Sequence, residues 1–391
     1  MTAPRDAPVL TPVEMLARLI EFDTVSARPN RALIDWVAEY LRAHGVAPLV
    51  LPDADGGKAN LYATIGPDRA GGVVLSGHTD VVPVADQAWD SDPFALTERG
   101  GRLYGRGAAD MKGFVALALA LVPAFAARPL ATPIHLALSY DEEVGCKGAP
   151  HLVRHIVDHQ PLPRLVVVGE PTSMRPVNAH KAIHAFRTEV TGKDAHSSAP
   201  ALGASAIVHA ARIVGFIQSL ADEARERPVA DGGFDPPHAT FNVGTIEGGT
   251  ALNIIPRRCV FSWDYRPLPD DDTAAVIARY YRFIADDVLP PLRAEFADGS
   301  VDTEVLAEVR PLRPDPDGPA ETLARRLTGA NAAGTVAFVT EAGIFQAAGI
   351  SAVVCGPGDI AQAHQPNEFI TREQMAAGEA FLRRLADWAA A

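Results

Sequence analysis

The stretch Ile134–Gly145, I-H-L-A-L-S-Y-D-E-E-V-G, joins a short apolar run to three consecutive carboxylates. The run reads as a buried strand, and Asp141, Glu142 and Glu143 stand where that strand should end. Uncompensated like charges at a buried strand end raise one another's pKa values and cost stability. A divalent cation removes that penalty. Successive residues point to different sides, so Glu143 could ligate a metal while Glu142 faces a water beside it. A Glu in that position is the usual general base for hydrolysis. Taken alone, the motif reads equally well as a solvated acidic turn.

On either side of this strand the chain alternates strands with helices. Thr11–Ile20 and Asn30–His44 have helical spacing, the latter closed by Gly45. Asn60–Ile65 and Gly72–Ser76 read as strands, Met111–Ala127 and Ala149–Asp158 as helices, and Leu165–Val168 as another buried strand. The alternation predicts an α/β fold around a largely buried sheet. After Gly169 the pattern changes. Ala182–Thr191 alternates like a half-exposed strand, Ala204–Ala221 is a long amphipathic helix, Thr240–Ile246 and Arg258–Tyr265 are strands, and Asp272–Asp286 is a helix. This β-α-β-β-α order predicts a separate α+β unit inserted into the first. The α/β pattern resumes with a helix at Pro319–Thr328, a strand at Ala352–Cys355 and a last helix at Arg372–Trp388. The expected domains are 1–180 and 307–391 together, with 181–306 inserted between them.

With 391 residues, two domains are the default. The net charge of −13, from 35 basic and 48 acidic residues, argues against nucleic-acid or anionic-membrane partners. Cys146, Cys259 and Cys355 are widely spaced and odd in number, which fits a reducing cytoplasm better than a disulfide framework. The N-terminus M-T-A-P-R-D-A-P-V-L lacks the pattern of a secretory leader. The most apolar run, Phe114–Ala127, is broken by Pro123 and is shorter than the roughly 20 residues a bilayer needs.

Ligands in open α/β sheets collect outside the carboxyl ends of strands, and four further motifs stand at such ends. In V-V-L-S-G-H-T-D, His78 and Asp80 are spaced to face one side, the carboxylate orienting the imidazole; the alternative is a turn His with a capping Asp. In Y-G-R-G-A-A-D-M-K-G-F, Asp110 is either a helix N-cap or an acid bridging two cations. Glu170 follows a buried strand in L-V-V-V-G-E-P-T, and His364 lies in the late loop G-P-G-D-I-A-Q-A-H-Q-P-N-E. Two His, one Asp and two Glu at strand ends suit two divalent ions sharing a carboxylate, with zinc favoured by the mixed N/O donors and cobalt or manganese hard to separate from it.

These ordered motifs, with G-K-D-A-H-S-S-A-P, D-Y-R-P-L-P and V-T-E-A-G, resemble the M20 family of zinc-dependent peptidases and deacylases over nearly the whole chain. The resemblance implies a di-zinc exopeptidase-like catalytic domain with an inserted ferredoxin-like lid and dimerisation domain, hence a homodimer. It implies two Zn2+, with Co2+ as a substitute. Asp110 would bridge them, His78 and Glu170 completing one site and Glu143 and His364 the other. Glu142 would be general base and acid, and Asp80 would orient His78. His196 would polarise the scissile carbonyl; its segment reads otherwise as the start of a helix. Asn253 and Arg266 would hold a substrate α-carboxylate, a task suited to a planar guanidinium. Glu341 would meet a side-chain ammonium or serve as a helix cap. The closer cues resemble the branch that removes the acetyl group from N-acetyl-L-ornithine in arginine biosynthesis. Rival readings are deacylases of N-acetylcitrulline, succinyl-diaminopimelate or other N-acyl amino acids, a dipeptidase, and a non-catalytic binding protein of the same fold. A purely structural metal site would call for a Cys-rich cluster, which the sequence does not contain.

Overall fold

The computed structural model describes residues 8–229 and 233–391. Residues 1–7, most of the N-terminus read for a leader, lie outside that range. The chain forms two compact units. One runs up to Ala179 and takes in Leu312–Thr335 and Thr340–Ala391; the other is His180–Pro311 with Val336–Val339.

In the first unit an eight-stranded sheet has the order Pro48–Pro52, Ala59–Ile65, Ile134–Ser139, Val73–His78, Leu165–Pro171, Ser351–Gly356, Val177–His180, Gly334–Val336. Its four central strands, Ile134–Ser139 to Ser351–Gly356, pair in parallel, with His78 opposite Ser139. Antiparallel strands flank them on both sides. Every residue of Val73–His78, Ile134–Ser139 and Leu165–Pro171 is buried, as parallel strands covered on both faces require. The carboxyl ends of these four strands share one edge. That edge presents His78, the turn Asp141–Glu143, Glu170 and the loop carrying His364.

The helix expected over Met111–Ala127 is two helices, Lys112–Ala120 and Val122–Ala126. Pro123 lacks the N–H that would continue the first helix and instead sits in the first turn of the second. All nine residues of Lys112–Ala120 are buried, so this helix is core around its whole circumference. The first and last helices of the unit, Pro12–Ile20 and Arg372–Ala390, start with capping boxes, Thr11 with Glu14 and Thr371 with Gln374.

The second unit is an antiparallel sheet in the order Thr240–Gly248, Arg258–Arg266, Ile183–Thr191, Ser300–Val309. With helices Ala206–Arg225 and Thr273–Phe283 it makes a β-α-β-β-α-β ferredoxin-like unit. Alternate residues of Ile183–Thr191 and Arg258–Arg266 are buried, and Phe186, Phe261, Trp263 and Tyr280 form its core with Ile213 and Ile217. The last strand of this unit is not marked by the sequence pattern. Ser300–Val309 is a mostly exposed edge strand whose Asp302, Glu304 and Glu308 hide the apolar alternation.

Candidate metal centre

His78, 1% exposed, is the last residue of its strand. Its Nε2 lies 3.1 Å from Asp110 Oδ1 and 3.7 Å from Glu170 Oε1. His364 Nε2 lies 3.3 Å from Asp110 Oδ2 and 3.1 Å from Glu143 Oε2. The two oxygens of Asp110 therefore face two different imidazoles. Asp110 is not a helix cap: Met111 holds the N-cap position and makes no side-chain bond there. Two triads result, His78–Asp110–Glu170 and Asp110–Glu143–His364, each with ligating atoms within 4.8 Å of one another.

The donor set fits two cations. Glu143 Oε1 and Glu170 Oε1 are buried without a hydrogen-bond partner, a costly state for a carboxylate oxygen. Imidazole nitrogens and carboxylate oxygens in groups of three suit zinc-like ions. The electrostatics agree. Burial pulls the His78 imidazole down, but Asp110 and Glu170 outweigh it and raise its pKa well above the usual value. Hydrogen bonds to Asp110 and Glu143 push His364 up to about 10. Burial raises Glu170 well above the carboxylate range, with Asp110 adding to it. The pocket thus favours positive charge wherever its chemistry admits it, and two divalent ions would hold these carboxylates ionised.

Glu142 stands beside the second triad. Burial lifts its pKa well above the ordinary value against the pull of His78, and Glu143 and Asp110 add to the lift. Cys146 Sγ lies 3.4 Å from its Oε1. Asp80 acts on this turn as well as on His78. Its carboxylate accepts from Ser26 Oγ at 2.7 Å and from the amides of Glu142 and Glu143 at 3.1 and 3.3 Å. The His78 ring donates from Nδ1 to the Asp80 carbonyl oxygen at 3.0 Å, while the Asp80 carboxylate is 3.6 Å away. It is the main chain of Asp80 that fixes the ring and leaves Nε2 toward Asp110.

The three acids are not all uncompensated. Lys58 Nζ donates to both Asp141 oxygens, at 2.5 and 2.6 Å, and to the Ser26 carbonyl. Asp141 has a left-handed backbone, φ 57°, so it turns away from its neighbours toward that lysine. Glu341 is 1% exposed and accepts from Ser139 Oγ and, at 3.2 Å, from Ser76 Oγ. It is the N-cap residue of helix Ala342–Ala347, but its side chain makes no cap bond.

A supporting acid lies within the H-Q-P-N-E motif. Glu368, four residues after His364, accepts through Oε1 from the Ala109 and Asp110 amides and through Oε2 from the Gly107 amide and Arg106 Nη1. One buried carboxylate thereby holds the whole turn that presents Asp110. Its signal in the sequence is the opposite charge of R in Y-G-R-G and E in H-Q-P-N-E, which lie four residues from Asp110 and His364.

His196, Asn253 and Arg266 belong to the second unit. His196 is exposed and not helical: it forms a bridge with Ile254, and its Nδ1 lies 2.7 Å from Ser198 Oγ. The helix that follows starts at Ala206 under a Ser205 cap. Ser197 N–H donates to the Asn253 carbonyl at 3.0 Å, so the fold brings His196 and exposed Asn253 into one pair of loops. Arg266 is half-buried, its Nε 3.1 Å from Asp264 Oδ1.

Residues 74–388 match the model of peptidase family M20/M25/M40. The chain belongs to that family. This M20 chain is 39% identical over 381 residues to an acetylornithine deacetylase of Myxococcus xanthus, covering 94% of the chain and 95% of the relative. It is 35% identical to an acetylornithine deacetylase of Proteus mirabilis, covering 92% and 91%. An M20 family metallo-carboxypeptidase from Sulfolobus solfataricus superposes with a TM-score of 0.78 at 18% identity, covering 97% of this chain and 99% of that one. A dinuclear metal binding M20 peptidase from Bacillus subtilis superposes with a TM-score of 0.64 at 15% identity, covering 96% of each. The shared architecture is the M20 fold, and the M20 chain is an enzyme of the hydrolase class.

Proposed function

We propose that this chain is a two-metal amidohydrolase that deacylates an N-acyl α-amino acid, preferring N-acetyl-L-ornithine and releasing L-ornithine and acetate, a step in arginine biosynthesis. The carrying observation is Asp110, whose two oxygens face separate imidazole–carboxylate pairs at one edge of the sheet. The named activity of the Myxococcus and Proteus relatives supports the substrate.

His78, Asp110 and Glu170 would hold one ion and Asp110, Glu143 and His364 the other, zinc being the expected metal and cobalt a substitute. When bound, the ions supply Lewis acidity for the acyl carbonyl and for the attacking water. Glu142 takes one proton from that water as its oxygen bonds to the acyl carbon, then returns it to the nitrogen as the C–N bond breaks. Asp80 keeps the His78 ring and the Glu142–Glu143 turn in place. His196 polarises the acyl carbonyl, and Asn253 and Arg266 grip the α-carboxylate, which fixes the amide for attack. The burial of Glu341 between two serines favours bracing of Ser76 and Ser139 over direct contact with a side-chain ammonium.

The second unit serves as lid and as the pairing surface of a homodimer. Its edge strand Thr240–Gly248 supports this, with Ile246 53% exposed. Sedimentation of the intact protein tests it, and a monomer at micromolar concentration refutes it. Three free, buried cysteines fit a cytoplasmic setting, and no helix among the described residues is long and apolar enough to cross a membrane.

The deciding experiment is release of free amine from acetylornithine, acetylcitrulline, acetylmethionine and succinyl-diaminopimelate. Acetylornithine should have the highest kcat/KM. A different leader would replace the substrate while leaving the reaction class, and turnover of none would remove both.

A further inference from the structure

Helix Ala149–His159 carries histidines at 151, 155 and 159. Residues four apart lie one above the other on one helical face. Leu152, Val153 and Ile156 on the adjoining face are buried, which pins the backbone that spaces the imidazoles. The rings of His155 and His159 lie 4.8 Å apart between centroids, with 51° between their planes. His159 is exposed and His155 half-buried. Gln160 Nε2 sits 3.4 Å from His155 Nε2; rotated about its last bond, the same amide would present its oxygen to that point. The helix ends here, and its last carbonyls carry partial negative charge that favours a cation.

We propose that His155 and His159 chelate an exchangeable divalent ion of the zinc, nickel or copper(II) class, at a surface site separate from the buried centre. Two neutral imidazoles, an amide oxygen and water make a donor set suited to these ions. Burial, and then His159 and His151, hold the His155 pKa below the ordinary imidazole value, so the ring favours its neutral form, and turning the Gln160 amide releases the Nε2 lone pair. The site stands at the other edge of the sheet. The segment after this helix bonds to the start of strand Val73–His78, Gly71 N–H to Leu162 and Arg164 N–H to Gly72, whereas His78 is at that strand's far end. Six residues of strand separate the two edges by roughly 20 Å, so an ion here does not share ligands with the catalytic pair.

The test is calorimetric titration of tag-free protein with Zn2+ after the buried centre is saturated. One further equivalent is expected. His155→Asn and His159→Asn should each weaken it by about tenfold or more, with kcat and KM unchanged. His159 is exposed, so its variant reports on the site even where His155→Asn disturbs packing. Absence of the further equivalent, or its survival in the double variant, overturns the proposal.

Discussion

Glu368→Gln alters the centre without touching a ligand. Glu368 Oε1 accepts from Ala109 N–H at 2.9 Å and Asp110 N–H at 3.0 Å; Oε2 accepts from Gly107 N–H at 3.0 Å and Arg106 Nη1 at 2.7 Å. Both side chains of the ion pair are 1% exposed. A glutamine keeps one acceptor oxygen, so its NH2 must face one of these donor pairs. Arg106 is also left as a buried cation without its counter-charge, though it still donates to Gln87 Oε1. Removing one partner of a buried pair costs about 3–5 kcal/mol. For a domain of roughly 150–250 residues, each kcal/mol is about 2–4 °C in Tm, which gives a fall of about 6–20 °C in the transition of the first unit. The same bonds hold the amide of Asp110, so metal affinity should drop by about 10–100-fold. Scanning calorimetry with and without a chelator, together with competition against a metal indicator, reads both effects. The double variant Arg106→Met/Glu368→Gln should recover part of the stability, because it removes the orphaned guanidinium while keeping one acceptor for the turn amides. A Tm within about 2 °C of the parent with metal affinity unchanged would refute the assignment of Glu368 as the clamp of the Asp110 turn.

Three further perturbations separate the remaining roles. Glu142→Gln should keep both metals by elemental analysis yet lose about 10²–10⁴-fold in kcat; full turnover would remove Glu142 as the proton carrier. Lys58→Met and Asp141→Asn should each destabilise the protein, and a double-mutant cycle in urea should give a coupling of about 1.5–3 kcal/mol, with additivity counting against the pair. His135, stacked on Tyr62 and bonded through Nδ1 to Thr64, has its pKa lowered by burial from 6.5 to about 4. The unfolded chain binds the extra proton between those values, so the contribution of His135 is complete above pH 6.5 and is lost as pH falls toward 4, to at most about 3 kcal/mol. His135→Phe should flatten stability against pH across that window, and an unchanged slope would exclude this residue as its source.

How far the sequence carries depends on what each residue answers to. The buried parallel strands were readable because a continuous apolar run that stops at a polar motif suits little besides a strand covered on both faces. His78, the Asp141–Glu143 turn and Glu170 stand at the ends of three of those strands, whereas Asp110 lies in a turn before a helix. The edge strand Ser300–Val309 was not readable, because half-exposed residues obey solvent as much as the sheet. Lys58 could not have been matched to Asp141, since the two are 83 positions apart and only the turn's left-handed backbone aims one at the other. His78 is oriented by the Asp80 carbonyl at 3.0 Å, with the carboxylate that the spacing favours 3.6 Å away. A spacing of two shows which side of the chain a residue faces, but not whether carbonyl or carboxylate makes the bond.

The position of strand Ser351–Gly356 also constrains the order of events on the ribosome. It lies inside the sheet, paired in parallel with Leu165–Pro171, yet it is encoded after the whole second unit. His364 and Glu368 come later still. Roughly 200 residues separate Glu170 from them, which at 5–20 residues per second is about 10–40 s of synthesis. Until they are made, the Asp110–Glu143–His364 triad lacks one member and the Asp110 turn lacks its bonds to Glu368. Completion of the site therefore waits on synthesis of the C-terminal segment.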